Sequence, residues 1–491
     1  MNRPLRRLSA VVAFLFFALF ASTTWVQFLR AGELNAMPGN SRQLYAEYGR
    51  ERGPILVGAG QAVAASVRVE EPGDSPYEFL RQYPAGPTYA HATGYYSVLY
   101  GAAGIERAMN DVLSGTADEL FYRRLADLLT GADPVGASVT LTLDPEVQQA
   151  AWDALDGRKG AVVALEPSTG NVLAMVSSPT YDPDLLATHD LQAAREAWET
   201  LLADEDDPLV NRAVDALYPP GSTFKLITAA AALESGEYTT ETPVAGPQEL
   251  DLPQTDNTLS NDEGTACGPN DRVSLLDALR TSCNTAFGQL GLDLGAEALD
   301  AQARAFGFEQ PLTTPLPVEE SRFPEDATGP LLAYAGIGQG NVQVTPLQVA
   351  MVSAAIANGG VVMEPNLVAN VREAKTLDVI AEPAPQEVGR AVSEDTADAL
   401  QEMTRAVVES GTGTRAQIDG AVVGGKTGTA QRGEGQVPYA WFTAWARDEE
   451  GENREVAVAV VIEDGGSVDS AYGGRLSAPV AKQVMQAALD G

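Results

Sequence analysis

At 491 residues the chain exceeds what one hydrophobic core organises, so two or three domains are expected. Its formal net charge is −35, from 32 Lys and Arg against 67 Asp and Glu, which argues against nucleic-acid binding, since that requires a basic face. The acids are scattered rather than blocked and read as a solvated acidic surface that keeps the protein soluble.

Arg3, Arg6 and Arg7 precede an apolar run from Leu8 to Leu29. About 20 apolar residues span a bilayer, and flanking positive charge holds the N-terminus in the cytoplasm. A cleaved signal peptide is the rival reading, but its apolar region is usually about 7–15 residues. The expectation is a retained single-pass anchor: residues 1–7 a cytoplasmic tail, 8–29 the membrane span, the remainder outside the cytoplasm.

Residues 30–136 carry little catalytic signal and read as a separate N-terminal module. The run "YAHATGYYSVLYGAAGIERAMNDVLSG" belongs to it, with "GADPVGAS" as its exit linker. From residue 137 the texture changes. "GAVVALEPSTGNVLAMVSSP" is two β-rich runs about a Pro-Ser-Thr-Gly turn, a hairpin. "STFKLITAAAALESG" reads as a helix opened at Ser222 and closed by Gly236. "SLLDALRTS" opens with a capping box, Ser274 and Asp277. "TPLQVAMVSAAIANGG" is a helix with Pro346 in its first turn and Gly359 past its end. The last runs, "AVVGGKTGTA", "YAWFTAWA" and "EVAVAVVIEDG", are strand-like. Residues 137–491 are thus expected to form one α/β (α+β) domain.

Only five lysines occur, and one of them, Lys225, stands three residues after Ser222. A hydroxyl is a weak nucleophile until a base takes its proton. The two histidines, His91 and His189, sit in no triad setting, and there is no Gly-x-Ser-x-Gly elbow. Lysine serves as base when burial or a nearby cation lowers its pKa, whereas arginine does not deprotonate. On a helix, residues i and i+3 share a face, so Lys225 would rise beside the Ser222 hydroxyl. Alone, Ser-x-x-Lys is a common pattern, equally a serine cap before a surface lysine. Two more motifs follow in order: Ser282-Cys283-Asn284 about 60 residues on, then Lys426-Thr427-Gly428 after a further 144. The set Ser-x-x-Lys, Ser-Asp-Asn, Lys-Thr-Gly marks penicillin-binding proteins and class A β-lactamases, with Cys283 here in the middle position.

In these motifs the chain resembles a class B penicillin-binding protein, most nearly the penicillin-binding protein A type of actinobacteria. "YAEYGRERGPILVGAGQAVAAS" is similar to the arginine–glycine segment after the anchor. "KGAVVALEPSTGNVLAMVSSPTYDP", "YPPGSTFKLITAAAALESG" and "GGKTGTAQ" resemble the transpeptidase core. The resemblance implies the penicillin-binding transpeptidase fold, an antiparallel sheet sandwiched by helices, preceded by a smaller pedestal module and one transmembrane helix. It also implies D,D-transpeptidation of peptidoglycan stem peptides through a serine acyl-enzyme, with β-lactam antibiotics as covalent inhibitors. Ser222 is then the nucleophile and Lys225 its base, while Ser282 and Lys426 shuttle the proton. Asn284 holds the substrate's side amide, and Thr427, Gly428 and Thr429 form the strand that takes the terminal carboxylate. The backbone N–H groups of Ser222 and Thr429 make the oxyanion hole. The implied partners are the cell-wall synthesis or division machinery, including a separate glycosyltransferase. No cofactor, metal or nucleic acid is called for. A D,D-carboxypeptidase or β-lactamase-type hydrolase on the same fold, and a non-catalytic scaffold, are the rivals.

"GAVVGGKT", Gly420 to Thr427, fits the P-loop pattern Gly-x-x-x-x-Gly-Lys-Thr, but Val422 and Val423 favour strand and the glycine- and proline-broken "GTAQRGEGQVP" starts no good helix. The two cysteines, Cys267 and Cys283, suit a disulfide in an exported chain, against the alternative of two free thiols.

Overall fold

The structure, a computed structural model, describes residues 2–26, 48–69, 77–117, 135–324, 327–374, 376, 378–433, 435–449, 454–467 and 471–491. Its main elements, in chain order, begin with helix α1 (Asn2–Thr24) and strands β1 (Ile55–Val57), β2 (Gln61–Arg68), β3 (Phe79–Gln82) and β4 (Ser138–Leu141). Helix α2 (Pro145–Leu155) and strands β5 (Gly160–Leu165) and β6 (Val172–Ser178) follow. Then come helices α3 (Lys225–Glu234), α4 (Leu275–Arg280), α5 (Asn284–Ala305) and α6 (Pro346–Ala357). Strands β7 (Val368–Arg372) and β8 (Val379–Ala381), helix α7 (Glu394–Ser410), strands β9 (Ala421–Ala430), β10 (Tyr439–Asp448) and β11 (Val456–Ile462), and helix α8 (Gly473–Asp490) complete it.

The central sheet is antiparallel, in the order β9-β10-β11-β5-β6. Every residue of β5, β6 and β11 is buried, because helices cover both faces. Alternation divides the strands between two cores. Val162 and Ala164 of β5 and Val458 and Val460 of β11 pack with Val147 of α2 and Val484 and Met485 of α8. Ala161, Val163 and Leu165, with Ala459 and Val461, join the core that holds Val349 and Val352 of α6. Helix α6 is buried all round, as its largely apolar sequence requires. The expected hairpin is β5–β6, and Ser274 caps α4 by accepting from the Asp277 N–H. The expected helix opened at Ser222 begins instead as a 3₁₀ turn, Gly221–Phe224, running into α3.

A second sheet, β8-β7-β4-β1-β2-β3, joins the early strands β1 to β4 with β7 and β8 from much later in the chain. Strand β4 pairs in parallel with β1 and antiparallel with β7. The region before residue 137 is therefore knitted into the domain after it. Residues 131–134 of the expected linker lie outside the described residues, and Val135 already bridges to Glu51. Within this region Glu106 is buried between two arginines, Arg52 Nε at 2.6 Å and Arg81 Nε at 2.6 Å. The flanking guanidinium charges outweigh burial and hold its carboxyl below the ordinary range. Gly53 is required where β1 begins, since a Cβ there would stand 1.9 Å from the Ala137 carbonyl oxygen.

Helix α1 carries the apolar stretch Arg6–Thr24, 19 residues with mean hydropathy 1.7, long and apolar enough to cross a membrane. Residues 27–29 of the expected span lie outside the described residues.

Candidate active site

The turn bearing Ser222 is pinned from two sides. Gly221 adopts φ +54°, and a Cβ there would meet the Thr429 carbonyl oxygen at 2.6 Å, so only glycine lets β9 approach this closely. The Gly221 N–H donates to the Gly338 carbonyl at 2.9 Å. Behind the turn, Trp441 Nε1 donates to the Pro219 carbonyl at 3.1 Å. Tyr218 donates its hydroxyl to Glu463 at 2.8 Å, and Glu463 pairs with buried Arg212 at 2.9 Å. Gly428 has no room for a side chain, with Trp441 Cβ at 2.8 Å and Thr223 Cγ2 at 2.9 Å from the position a Cβ would take.

Lys225 and Lys426 are both 0% exposed. Lys225 Nζ donates to the Ser282 carbonyl at 2.8 Å, to Asn284 Oδ1 at 2.7 Å and toward Ser282 Oγ at 3.3 Å. Lys426 Nζ donates to Ser282 Oγ at 2.8 Å and to the Thr427 carbonyl at 2.9 Å. The Ser282 hydroxyl thus stands between the two amines. Ser282 itself has φ +60°, left-handed backbone unusual for serine, in the break between α4 and α5. Among the described residues no side chain holds the Ser222 hydroxyl, and Lys225 reaches Ser282 and Asn284 instead of the serine three residues before it. Burial lowers the Lys225 ammonium to about 7, partly opposed by the Asp262 charge. Burial and then the neighbouring Lys225 charge push Lys426 well below the ordinary lysine range.

Two cavities meet at Ser222. One, of about 420 Å³, is lined by Thr412, Thr427, Thr429, Arg415 and Arg475 besides Ser222. The other, of about 530 Å³, is lined by Asn284, Tyr334, Gln339, Thr429 and Tyr472. Asp262 lines both. The Thr427 and Thr412 hydroxyls are hydrogen-bonded at 2.7 Å. Cys267 and Cys283 are joined in a disulfide, Cα to Cα 6.0 Å, directly behind Ser282 and Asn284. The run Gly420 to Thr427 lies almost wholly within β9, as extended strand with no helix after it, so it is no phosphate loop.

Sequence reasoning missed the first turn of α8 and the loop carrying Asp262. Gly473 and Gly474 let that turn press against β9 and β10: a Cβ on Gly473 would be 1.8 Å from the Trp441 carbonyl oxygen, and one on Gly474 2.4 Å from that of Thr412. The Gly473-Gly474 pair that opens α8 is the sequence signal that could have found the turn.

Residues 160–486 match the model of the penicillin-binding protein transpeptidase domain, and 52–139 that of the penicillin-binding protein A dimerisation domain. The chain belongs to the penicillin-binding protein transpeptidase family. It is a class B member, 45% identical to the peptidoglycan D,D-transpeptidase PbpA of Mycolicibacterium smegmatis over 100% of this chain and 99% of the relative. It is 43% identical to PbpA of Mycobacterium tuberculosis, over 100% of both. Among solved structures, the ceftriaxone acyl-enzyme of M. tuberculosis penicillin-binding protein A superposes with a TM-score of 0.85 at 42% identity, covering 91% of this chain and all of the other. Its penicillin G acyl-enzyme does so at 0.83 and 43%, covering 90% and 100%.

Proposed function

We propose that this penicillin-binding protein cross-links peptidoglycan as a D,D-transpeptidase acylated at Ser222. The observation that carries the reading is the arrangement of two buried lysines about Ser282 at the mouth of Ser222's cleft. Neutral Lys225 has two N–H bonds and one lone pair. The Ser282 carbonyl and Asn284 Oδ1 are acceptors only, so they take both hydrogens and leave the lone pair for a hydroxyl proton.

Ser222 Oγ attacks the carbonyl of the penultimate D-alanine while its proton passes to Lys225. The C–N bond then breaks, and the leaving D-alanine amine takes a proton relayed through Ser282 between Lys225 and Lys426. An amine of a second stem peptide attacks the ester, the C–O bond breaks, and Ser222 recovers its proton. The backbone N–H groups of Ser222 and Thr429 stabilise the oxyanion. Thr427 and Thr429, with Gly428 keeping the strand close, take the terminal carboxylate, helped by the positive charge of Arg415 and Arg475. β-Lactams follow the same first step and stay bound. Helix α1 anchors the chain with its N-terminus cytoplasmic, residues 8–29 spanning, 30–136 forming the pedestal and 137–491 the catalytic domain. A separate glycosyltransferase of the wall or division machinery supplies the glycan strands.

Mass spectrometry after incubation with benzylpenicillin tests the reading. A stable adduct mapped to Ser222 is expected. Rapid release of penicilloate would instead identify a β-lactamase-type hydrolase, and transfer of the acyl group to water in preference to amines a carboxypeptidase.

A further inference from the structure

Asn284 reaches Lys225 through its amide oxygen, and the amide nitrogen has its own fixed partners. Nδ2 donates to Asp262 Oδ1 at 3.0 Å and to the Ser260 carbonyl at 3.3 Å. Both are acceptors only, so they decide which way the amide points. The opposite orientation would set an N–H against Lys225, where it would donate into the lone pair needed to accept a proton. The segment that supplies Asp262 is itself fastened to the start of α5. Asn261 Oδ1 accepts from the Thr285 N–H at 3.0 Å, and its Nδ2 donates to the Pro247 carbonyl at 2.9 Å and the Thr265 carbonyl at 2.9 Å. The Cys267–Cys283 bridge ties the same loop to the residue before Asn284.

We propose that Asp262 is a positioning residue for acylation: its carboxylate orients the Asn284 amide so that the base at Lys225 keeps its lone pair free. The inference rests on the Ser222 and Lys225 roles given above. A second effect follows from charge. The charged groups about Lys225 are Lys426 on β9 and Asp262 on the loop, while α5 presents the uncharged Asn284 and the ring of Phe287. Glu263, Arg415 and Arg475 line the cavity beyond. Asp262 is thus the anion acting on both buried amines, and removing its charge makes each easier to deprotonate.

The test measures the second-order rate of benzylpenicillin acylation against pH for full-length protein in detergent, with melting temperature alongside. Asp262 is exposed, so substitution leaves the core intact. Asp262→Ala is expected to lower the rate on the high-pH plateau about tenfold to a hundredfold. Asp262→Asn keeps an oxygen for the Asn284 N–H and is expected to stay within a few-fold of that plateau. In both, the acidic limb should move to lower pH, since the lysine deprotonates more easily without the anion. A wild-type plateau and an unmoved limb in Asp262→Ala would overturn the proposal. Equal losses in both variants, accompanied by a falling melting temperature, would assign the loop a merely structural role and overturn it too. Absence of a Ser222 adduct on the wild-type protein strikes the proposed function; a wild-type adduct with unaffected variants strikes only Asp262.

Discussion

At the scale of single residues, the chemistry turns on keeping one amine uncharged inside a polar cleft. With Lys225 held to about 7 by burial, its neutral form grows as pH rises through that value. The acylation rate should therefore fall below about pH 7 and level off above it, a limb that titrates in rate measurements with benzylpenicillin. Lys225→Arg keeps the positive charge but accepts no proton, and should retain less than about a tenth of the wild-type rate. Ser222→Ala should abolish the covalent adduct while leaving the melting temperature nearly unchanged, because one hydroxyl on a 3₁₀ turn contributes little to stability. Much of this is legible in the sequence, since each motif is a short run whose residue types admit few other chemistries. What the motifs do not disclose is partnership. Lys225 reaches Ser282 and Asn284 rather than the serine one turn before it, because α5 begins where the lysine ends. Asp262 carries no motif, and its loop reads as ordinary turn sequence.

At the scale of elements, the loop closed by Cys267 and Cys283 ends beside two residues of the site. Closing a loop of about 15 residues is worth about 3 kcal/mol in the chain-entropy account. Its local effect should be the larger one: Cys267→Ser, or reduction, should slow penicillin acylation more than it lowers the melting temperature. Unchanged acylation on reduction would remove that idea. Gly473 offers a complementary check. A methyl group there collides with the Trp441 carbonyl, so Gly473→Ala should displace the first turn of α8 and weaken penicillin binding, read by labelling kinetics. The local elements follow directly from sequence pattern. The hairpin β5–β6 has its turn residues, and α4 and α6 have their caps. Pairing of β4 with β7 leaves no such trace, because more than two hundred residues separate the partners and no short-range pattern encodes their meeting.

At the scale of the whole molecule, the shared sheet makes the region before residue 137 a structural part of the enzyme. A chain beginning after Leu29 should remain soluble without detergent and still bind penicillin, as gel filtration and labelling would show. A chain beginning at residue 137 should aggregate, because β4 and β7 would lose the strands β1 to β3 that continue their sheet. Within that region, Glu106→Ala leaves two buried arginines without their carboxylate. The expected cost is about 3–5 kcal/mol, seen as a lower melting temperature with an unchanged acylation rate per folded molecule.

The strand order of the central sheet has a consequence for biogenesis. Strands β5 and β6 emerge early from the ribosome, yet the neighbour of β5 is β11, made nearly three hundred residues later. Until then a largely apolar hairpin waits with an open edge, the kind of surface that nascent chains must have shielded. Lys426 belongs to the same late-arriving group of strands, so no partial translation product holds a complete acylation site. Covalent labelling by penicillin therefore reports a finished, fully folded molecule, and the interval between synthesis and first labelling measures how long maturation takes.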